Sequence, residues 1–492
     1  MRNLILLFLL IVSAFQVNAQ NAFYKLYSNN GYDFGEGIAQ LEDSSFIVTG
    51  TSSSFIDGPS QAFLLKVDSV GEYQWSLPYG GTEEDGARRV LYSPGDGYYV
   101  SGYTNSIGNG GYDVYVFKTD LSGSLIWEKS YGGTGWEKTN DAILLSDSSQ
   151  IIVGQTNSNT NGNEDIYILR INKDGDSLYT KQIGGEGDNI ATTVDLLNDS
   201  IVIIGGSFFN SDSLSSKGYL MGMHIDGTVL WSKEYGNDGN YWFKDLTVID
   251  SMVHVVGKYY NDTVYDYEGY SGIMDFDGIL NTEFVFYKEG YDSHELITNY
   301  GDLGKFYIGY NGENSGTYPG GLDFFIIRAK ANLLYDNSGC NFANVGEEVG
   351  NQLISTNDGG AILVGTNEFY GAGGNNVALL KIGRNDNYPT TSGYVVADSL
   401  VLVDEVLSSD LGVLVYPNPT NGEGINVESR TLKINTISVY GIDGVLFYEE
   451  KNLNNQHLKN INLSSLEKGN YILVLELEQN VTVHHKLIIT GN

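Results

Sequence analysis

The chain has 492 residues and a formal net charge of −34, from 61 acids against 27 bases. No basic stretch interrupts that excess, which argues against a phosphate-backbone partner and so against nucleic acid. A charged fraction of 18% argues against disorder, and the single cysteine, Cys340, permits no internal disulfide.

In chain order, Arg2 supplies a positive start, residues 4–12 form a nine-residue apolar core, and Val17-Asn18-Ala19 is a small-residue cleavage site. That pattern reads as a secretory signal peptide over residues 1–19, cut after Ala19. No cysteine follows the apolar core, so no lipid anchor is expected. No other apolar run approaches the roughly 18 residues of a membrane helix.

Residues 20–385 repeat. Tyr27, Tyr79, Tyr131, Ile183, Tyr235 and Tyr287 recur every 52 residues, with Phe342 three residues late. Gly50, Gly102, Gly154, Gly206, Gly257, Gly309 and Gly365 march with them, as do Gly71, Gly123, Gly175, Gly227 and Gly278. In the unit after Tyr79, strands are predicted over 88–91, 98–103, 113–118 and 125–130, with Ser93-Pro94-Gly95-Asp96 and residues 120–123 as turns. No helical spacing appears. Seven four-stranded units predict an all-β, seven-bladed β-propeller. The seventh unit, through Lys381, lacks a fourth strand. Residues 23–27 match that slot, because Phe23 precedes Tyr27 as Trp75 precedes Tyr79. The N-terminal strand is therefore expected to close the ring and leave no open edge. The repeats resemble kelch-type and related bacterial secreted propeller repeats but lack a regular Gly-Gly after the second strand. The resemblance implies the fold and no kelch partner.

The acids after each anchor, Asp33, Asp85, Glu137, Asp188, Asp292 and Glu348, admit two readings. They accept backbone hydrogen bonds before each first strand, or they ring one face and bind a cation or act as a glycosidase pair. Residues that break the repeat carry more information. The loops of blades 4 to 6 turn aromatic, with Phe208, Phe209, Tyr241, Trp242, Tyr259, Tyr260, Tyr265, Tyr267 and Tyr310. Grouped aromatics suggest a binding surface, with Tyr241 and Trp242 at its centre. Sugar C–H faces pack on such rings and Tyr adds a hydroxyl. The surrounding acidity favours a neutral glycan or a basic protein patch over an anion. No catalytic residue, metal or cofactor is assigned; His484 and His485 alternate on a strand and point to opposite faces. The expected function is a monomeric glycan- or protein-binding module. The alternatives are a polysaccharide-acting enzyme using rim carboxylates and a passive surface or adhesion component.

Residues 386–411 read as a linker, and 412–492 as a separate small β-sandwich outside the 52-residue register. Its strands are predicted near 424–429, 434–440, 444–449, 457–463, 470–478 and 480–489. Val415-Tyr416-Pro417-Asn418-Pro419, Ser438-Val439-Tyr440 through Gly444, Leu466, Gly469-Asn470-Tyr471 and Lys486 carry a specific likeness. This module resembles the type A C-terminal sorting domain of the Bacteroidetes type IX secretion system. The resemblance implies passage through an outer-membrane shuttle barrel, cleavage by a sortase near the linker, and release or attachment at the cell surface. It assigns the sorting signal to Tyr416, Pro417, Asn418, Pro419, Gly469 and Lys486.

Overall fold

The computed structural model describes residues 22–28, 31–55, 59–160, 163–210, 215–236, 240–261, 266–286, 292–300, 305–313, 322–330, 335–342, 348–369, 374–383, 392–396, 413–416, 425–429, 432–441, 446–466, 468–477 and 482–489. Every regular element among them is a strand. The signal-peptide reading, with Ala19, lies outside the described residues, as do Tyr265, Pro417, Asn418 and Pro419.

Six sheets each take four consecutive antiparallel strands. Their first strands are Asp33–Gln40, Asp85–Ser93, Glu137–Leu144, Ile190–Asn198, Asn240–Ile249 and Asp292–Tyr300. Another sheet runs Glu348–Ser355, Ala361–Phe369, Gly374–Ile382 and then takes Phe23–Ser28 as its fourth strand. In that pairing Phe23 stands opposite Lys381 and Tyr27 opposite Val377. Ser392–Val396, inside the segment read as a linker, adds a fifth strand parallel to Phe23–Ser28. Each first strand packs on the next, and Glu348–Ser355 packs back on Asp33–Gln40.

The glycine series of Gly50, Gly102 and Gly154 has a steric cause. Every first strand carries a β-bulge, between Gly35 and Gly37, Ala87 and Arg89, Thr139 and Asp141, and so on to Gly350 and Gln352. Opposite each bulge sits a glycine, and at Gly50, Gly102, Gly154, Gly206, Gly257 and Gly365 the first strand's carbonyl presses on it. A Cβ on Gly154 would lie 1.9 Å from the Lys138 carbonyl oxygen, and one on Gly102 2.0 Å from that of Gly86. No side chain fits there, so the period is written in glycine.

The bulge also frees backbone groups, and the preceding sheet satisfies them. The Asp141 carboxylate accepts from Val194 N at 2.9 Å, Thr193 Oγ1 from Leu246 N at 3.3 Å and Asp245 from Ile297 N at 2.9 Å. Across the junction of the last sheet with the first, Gln352 Oε1 accepts from Ile38 N at 2.8 Å, while Asn351 Nδ2 donates to the Gly35 carbonyl at 2.8 Å. Buried backbone N–H groups demand such partners.

The tyrosine anchors tie neighbouring sheets at their outer ends. Tyr27, Tyr79, Tyr131 and Tyr235 donate their hydroxyls to the carbonyls of Gly71, Gly123, Gly175 and Gly278, at 2.7, 2.6, 2.5 and 2.6 Å. Those glycines hold φ of +71° to +86° in the turn before the fourth strand, where other residues are strained. Trp75 and Trp127 cover the bare Cα of Gly123 and Gly175. Ile183 has no hydroxyl, and there Tyr179 donates to the Ile225 carbonyl at 3.1 Å instead.

The tail forms a three-stranded sheet of Val413–Tyr416, Ile425–Ser429 and Leu458–Ile461, and a four-stranded sheet of Leu446–Gln456, Ile434–Gly441, Gly469–Leu477 and Thr482–Ile489. One apolar cluster, including Val415, Ile425, Ile437, Leu473 and Leu487, draws on both sheets. The strand Val413–Tyr416 is absent from the sequence-based reading; only four residues long, it shows no full period of alternation.

Candidate functional site

The first strands converge on one cavity of about 360 Å³. Arg89, Asn140, Thr192, Lys244, Leu296 and Asn351 reach it from six different sheets, so it lies where the sheets meet. Trp242 and its cross-strand partner Lys258 line it as well, beside Gln155 and Ser207. The polar groups are held in place. Asn140 Nδ2 donates to Gln155 Oε1 at 2.6 Å and to the Ala191 carbonyl at 2.8 Å. Thr192 Oγ1 donates to the Phe243 carbonyl at 2.9 Å, and Arg89 Nε donates to Asp141 Oδ1 at 2.7 Å.

The predicted aromatics divide. Trp242, Tyr260 and Tyr267 form one group: Trp242 lies 5.9 Å from Tyr267 and Tyr260 5.1 Å from Tyr267, between ring centroids. Lys258 Nζ sits 5.4 Å from the Trp242 centroid and 4.6 Å from that of Tyr267, a cation on two ring faces. Tyr241 instead packs on Tyr259 at 4.6 Å and edge-on to Tyr270 at 5.6 Å. It also covers Gly236 of the preceding sheet, and so belongs to the core between the sheets. Phe208 stacks on Tyr219 at 5.2 Å, and Phe209 covers Gly187. These residues lie in strands rather than loops. Long cross-strand pairing, such as Tyr260 opposite Tyr267 and Phe209 opposite Ser216, extends the hairpins to their tips. Tyr310 lies in the strand Lys305–Glu313, opposite His294 and Phe325.

The acids after the anchors are bound structurally wherever their side chains are described. Asp33 accepts the hydroxyls of Ser52 and Ser54. Asp85 accepts from Gly81 N and Ser106 Oγ at 2.7 Å each, and Glu137 from Thr156 Oγ1 at 2.5 Å and Gly133 N at 2.8 Å. In the fourth sheet that role falls to Asn189, which accepts from Phe209 N at 3.0 Å, while Asp188 accepts from Glu164 N at 3.1 Å.

Two carboxyls of the first strands titrate unusually. Burial pushes Asp245 up to about 7 and Asp195 up to about 6, against the N–H groups of Ile297 and Val248 that favour their ionised forms. Their folded values lie above the unfolded 3.8, so the folded state holds these protons more tightly. Their contribution to stability is fully present below pH 3.8 and is lost as pH rises through 6 and 7. The melting temperature is expected to carry this downward component between those limits. Asp245→Thr, which installs the residue found at the equivalent Thr193, should flatten it; an unchanged slope in that variant would reject the assignment.

In the tail, Tyr416 pairs with Asn426, Gly469 with Ile489 and Lys486 with Ile472. Residues 414–490 match the family of secretion system C-terminal sorting domains. The protein is exported by type IX secretion to the cell surface or extracellular space. No helix among the described residues is long and apolar enough to cross a membrane. The regulatory protein FlaEY of Caulobacter vibrioides is 25% identical over 172 residues, covering 30% of this chain and 18% of its own length. Among solved structures, puromycin hydrolase aligns at a TM-score of 0.46 with 10% identity, over 90% of this chain and 58% of that one. Polysaccharide lyase Uly1 aligns at 0.45 with 11% identity, over 71% and 90%. The β-propeller domain of the Trilobed protease from Pyrococcus furiosus aligns at 0.42 with 9% identity, over 73% and 98%. The all-β chain of repeated four-stranded sheets has a β-propeller fold.

Sequence reasoning missed Lys258, Arg89, Asn140 and Gln155. The repeat itself held the signal: stepping back from Trp242 by 52 residues gives Ile190, Lys138 and Gly86, all one place before the bulge.

Proposed function

We propose that the exported chain is a seven-bladed propeller, closed by Phe23–Ser28, that binds a glycan at the axial cavity. The tail is then a small sandwich serving export, with residues 1–19 a leader, 20–385 the ring, 386–411 a connection and 412–492 the sorting module. The 52-residue unit of four strands supports a kelch-like repeat in its length and strand count. The observation that carries the binding reading is Trp242, half-buried at the wall of the cavity that the hydrogen-bonded Asn140 and Gln155 also line. An apolar ring with a few placed polar groups, in a space of this size, is the usual make-up of a small-ligand site.

Binding is favoured over hydrolysis by the lining. Among the described residues lining the cavity, Asp245 is the one that carries a carboxylate, and it accepts from Leu246 N, Ile297 N and Thr193 Oγ1. A glycosidase would need two carboxyls facing the substrate. Trp242→Ala is expected to lower affinity for a bound glycan about tenfold to a hundredfold, from the loss of one stacking platform. Titration calorimetry with ligands drawn from a glycan array measures this. An unchanged dissociation constant would remove Trp242 from the site, and an array with no binder would remove the glycan.

A further inference from the structure

We infer that the glycan is a neutral oligosaccharide chain, which runs from the axial cavity onto a second stacking platform made by Tyr103, Tyr112 and Trp136 where the second and third sheets meet. This rests on the glycan reading above and adds the ligand's length, its charge and a further subsite.

The platform departs from the repeat. Stepping 52 residues back and forward from Tyr103 gives Thr51 and Gln155, from Tyr112 Ser60 and Glu164, and from Trp136 Glu84 and Asp188. The neighbouring sheets form with polar residues at all three places, so the fold does not call for rings there. All three rings are half-buried. Grouped aromatics that packing does not require mark a binding surface.

The rings are set before any ligand arrives. Tyr103 and Tyr112 meet edge to face, with 5.4 Å between centroids. Glu137 N donates to the Tyr112 carbonyl at 2.6 Å, Gly111 N to the Gly135 carbonyl at 2.7 Å and Trp136 N to Asn157 Oδ1 at 2.6 Å. Lys138 Nζ lies 4.8 Å from the Tyr112 centroid, 5.4 Å from that of Tyr103 and 5.6 Å from that of Trp136. One ammonium shared by three rings holds them as a unit, which lowers the cost of ordering them on binding.

Register joins the platform to the cavity. Gln155, which lines the cavity, is the cross-strand partner of Lys138. Asn140 lines it too and stands four residues after Trp136, roughly 13 Å along an extended strand and more than one sugar ring covers. From Asn140 the wall continues through Thr192 and Ser207 of the fourth sheet to Trp242 of the fifth. A ligand that touches both Trp136 and Trp242 is therefore a chain of several units.

Charge disfavours both ionic classes. Arg88 is paired with Glu36 at 2.7 Å and Arg89 with Asp141 at 2.7 Å. Around Lys138 stand Glu84, whose carboxylate accepts the Tyr112 hydroxyl, and Glu164. An anionic sugar would meet these carboxylates, and a cationic ligand would meet an ammonium already on the rings. A neutral sugar suits both, because each hydroxyl donates and accepts while the apolar C–H face packs on a ring.

The test runs the purified full chain through gels containing laminarin, arabinoxylan, galactomannan or alginate, at low and raised salt. Retention by a neutral polymer is expected, unchanged by salt. Calorimetry then uses fragments of the neutral glycan so found, or found on an array. Affinity should rise at least about tenfold from the two-sugar to the six-sugar fragment, and Trp136→Ala should remove that gain while leaving the short fragment's affinity unchanged. Trp136→Phe, which keeps a ring, should retain most of it, and melting curves establish that both variants are folded. A wild-type dissociation constant for the long fragment in Trp136→Ala overturns the platform; loss of binding in Trp242→Ala would still leave the glycan reading intact. Affinity independent of length overturns the extended chain. Retention by alginate alone, lost in raised salt, overturns the neutral class. If no polymer is retained and an array shows no binder, the glycan reading itself falls.

Discussion

Deletion of residues 412–492 is expected to leave a folded, protease-resistant ring in the periplasm and none in the medium or on the cell surface. Among the described residues, the tail's strands pair with one another: Val413–Tyr416 with Ile425–Ser429, that strand with Leu458–Ile461, and Ile434–Gly441 between Leu446–Gln456 and Gly469–Leu477. Its core is its own, with Ile425, Val427, Leu473 and Leu487 fully buried in one cluster. Among the described residues, removing it therefore takes no strand and no core residue from the sheets that precede it, and domains built this way fold separately. Export, by contrast, goes entirely, because residues 414–490 are the part that matches the sorting family. Immunoblots of periplasm, surface and medium, with limited proteolysis of the periplasmic fraction, read both halves. Truncated protein in the medium at the full-length level would reject the tail's role, and a degraded periplasmic product would reject the independence of the ring.

Much of this architecture was legible because each repeated residue answers one repeated physical demand. Tyr79 recurs since a hydroxyl must reach the turn carbonyl of the next sheet, and Gly102 recurs since a carbonyl presses on its Cα. Phe23–Ser28 was legible as the missing strand because Tyr27 and Lys25 make the contacts their counterparts make: Tyr27 with the Gly71 carbonyl, and Lys25 Nζ with Glu72 at 2.5 Å. The site was less legible, for a different reason. Tyr241 and Trp242 are adjacent in sequence, and a strand sends neighbours to opposite faces. Trp242 lines the cavity, whereas Tyr241 takes the slot used by Asp33, Asp85 and Glu137 and packs toward the preceding sheet.

Removal of Phe23–Ser28, with the preceding segment kept, is expected to abolish cooperative unfolding of the ring. This strand carries the chain's N-terminal end into the last sheet, reinforcing the packing of Glu348–Ser355 on Asp33–Gln40. It pairs with Gly374–Ile382 on one side and carries Ser392–Val396 on the other. Its loss would expose two strands' worth of unpaired backbone at once, an edge prone to aggregation. It also empties the core, since Tyr27 is fully buried and Phe23, Tyr24 and Leu26 nearly so. Point variants grade the effect. Tyr27→Phe removes only the hydroxyl bonded to the Gly71 carbonyl, a loss of about 1 kcal/mol. Tyr27→Ala also leaves a cavity where the last sheet meets the first, and large aromatic-to-alanine changes in a core cost about 3–5 kcal/mol. Urea titration followed by tryptophan fluorescence measures the series. If the deleted chain unfolds at the wild-type midpoint with the wild-type slope, the N-terminal strand does not close the ring. If Tyr27→Phe costs as much as Tyr27→Ala, the anchor acts through its hydrogen bond rather than through packing.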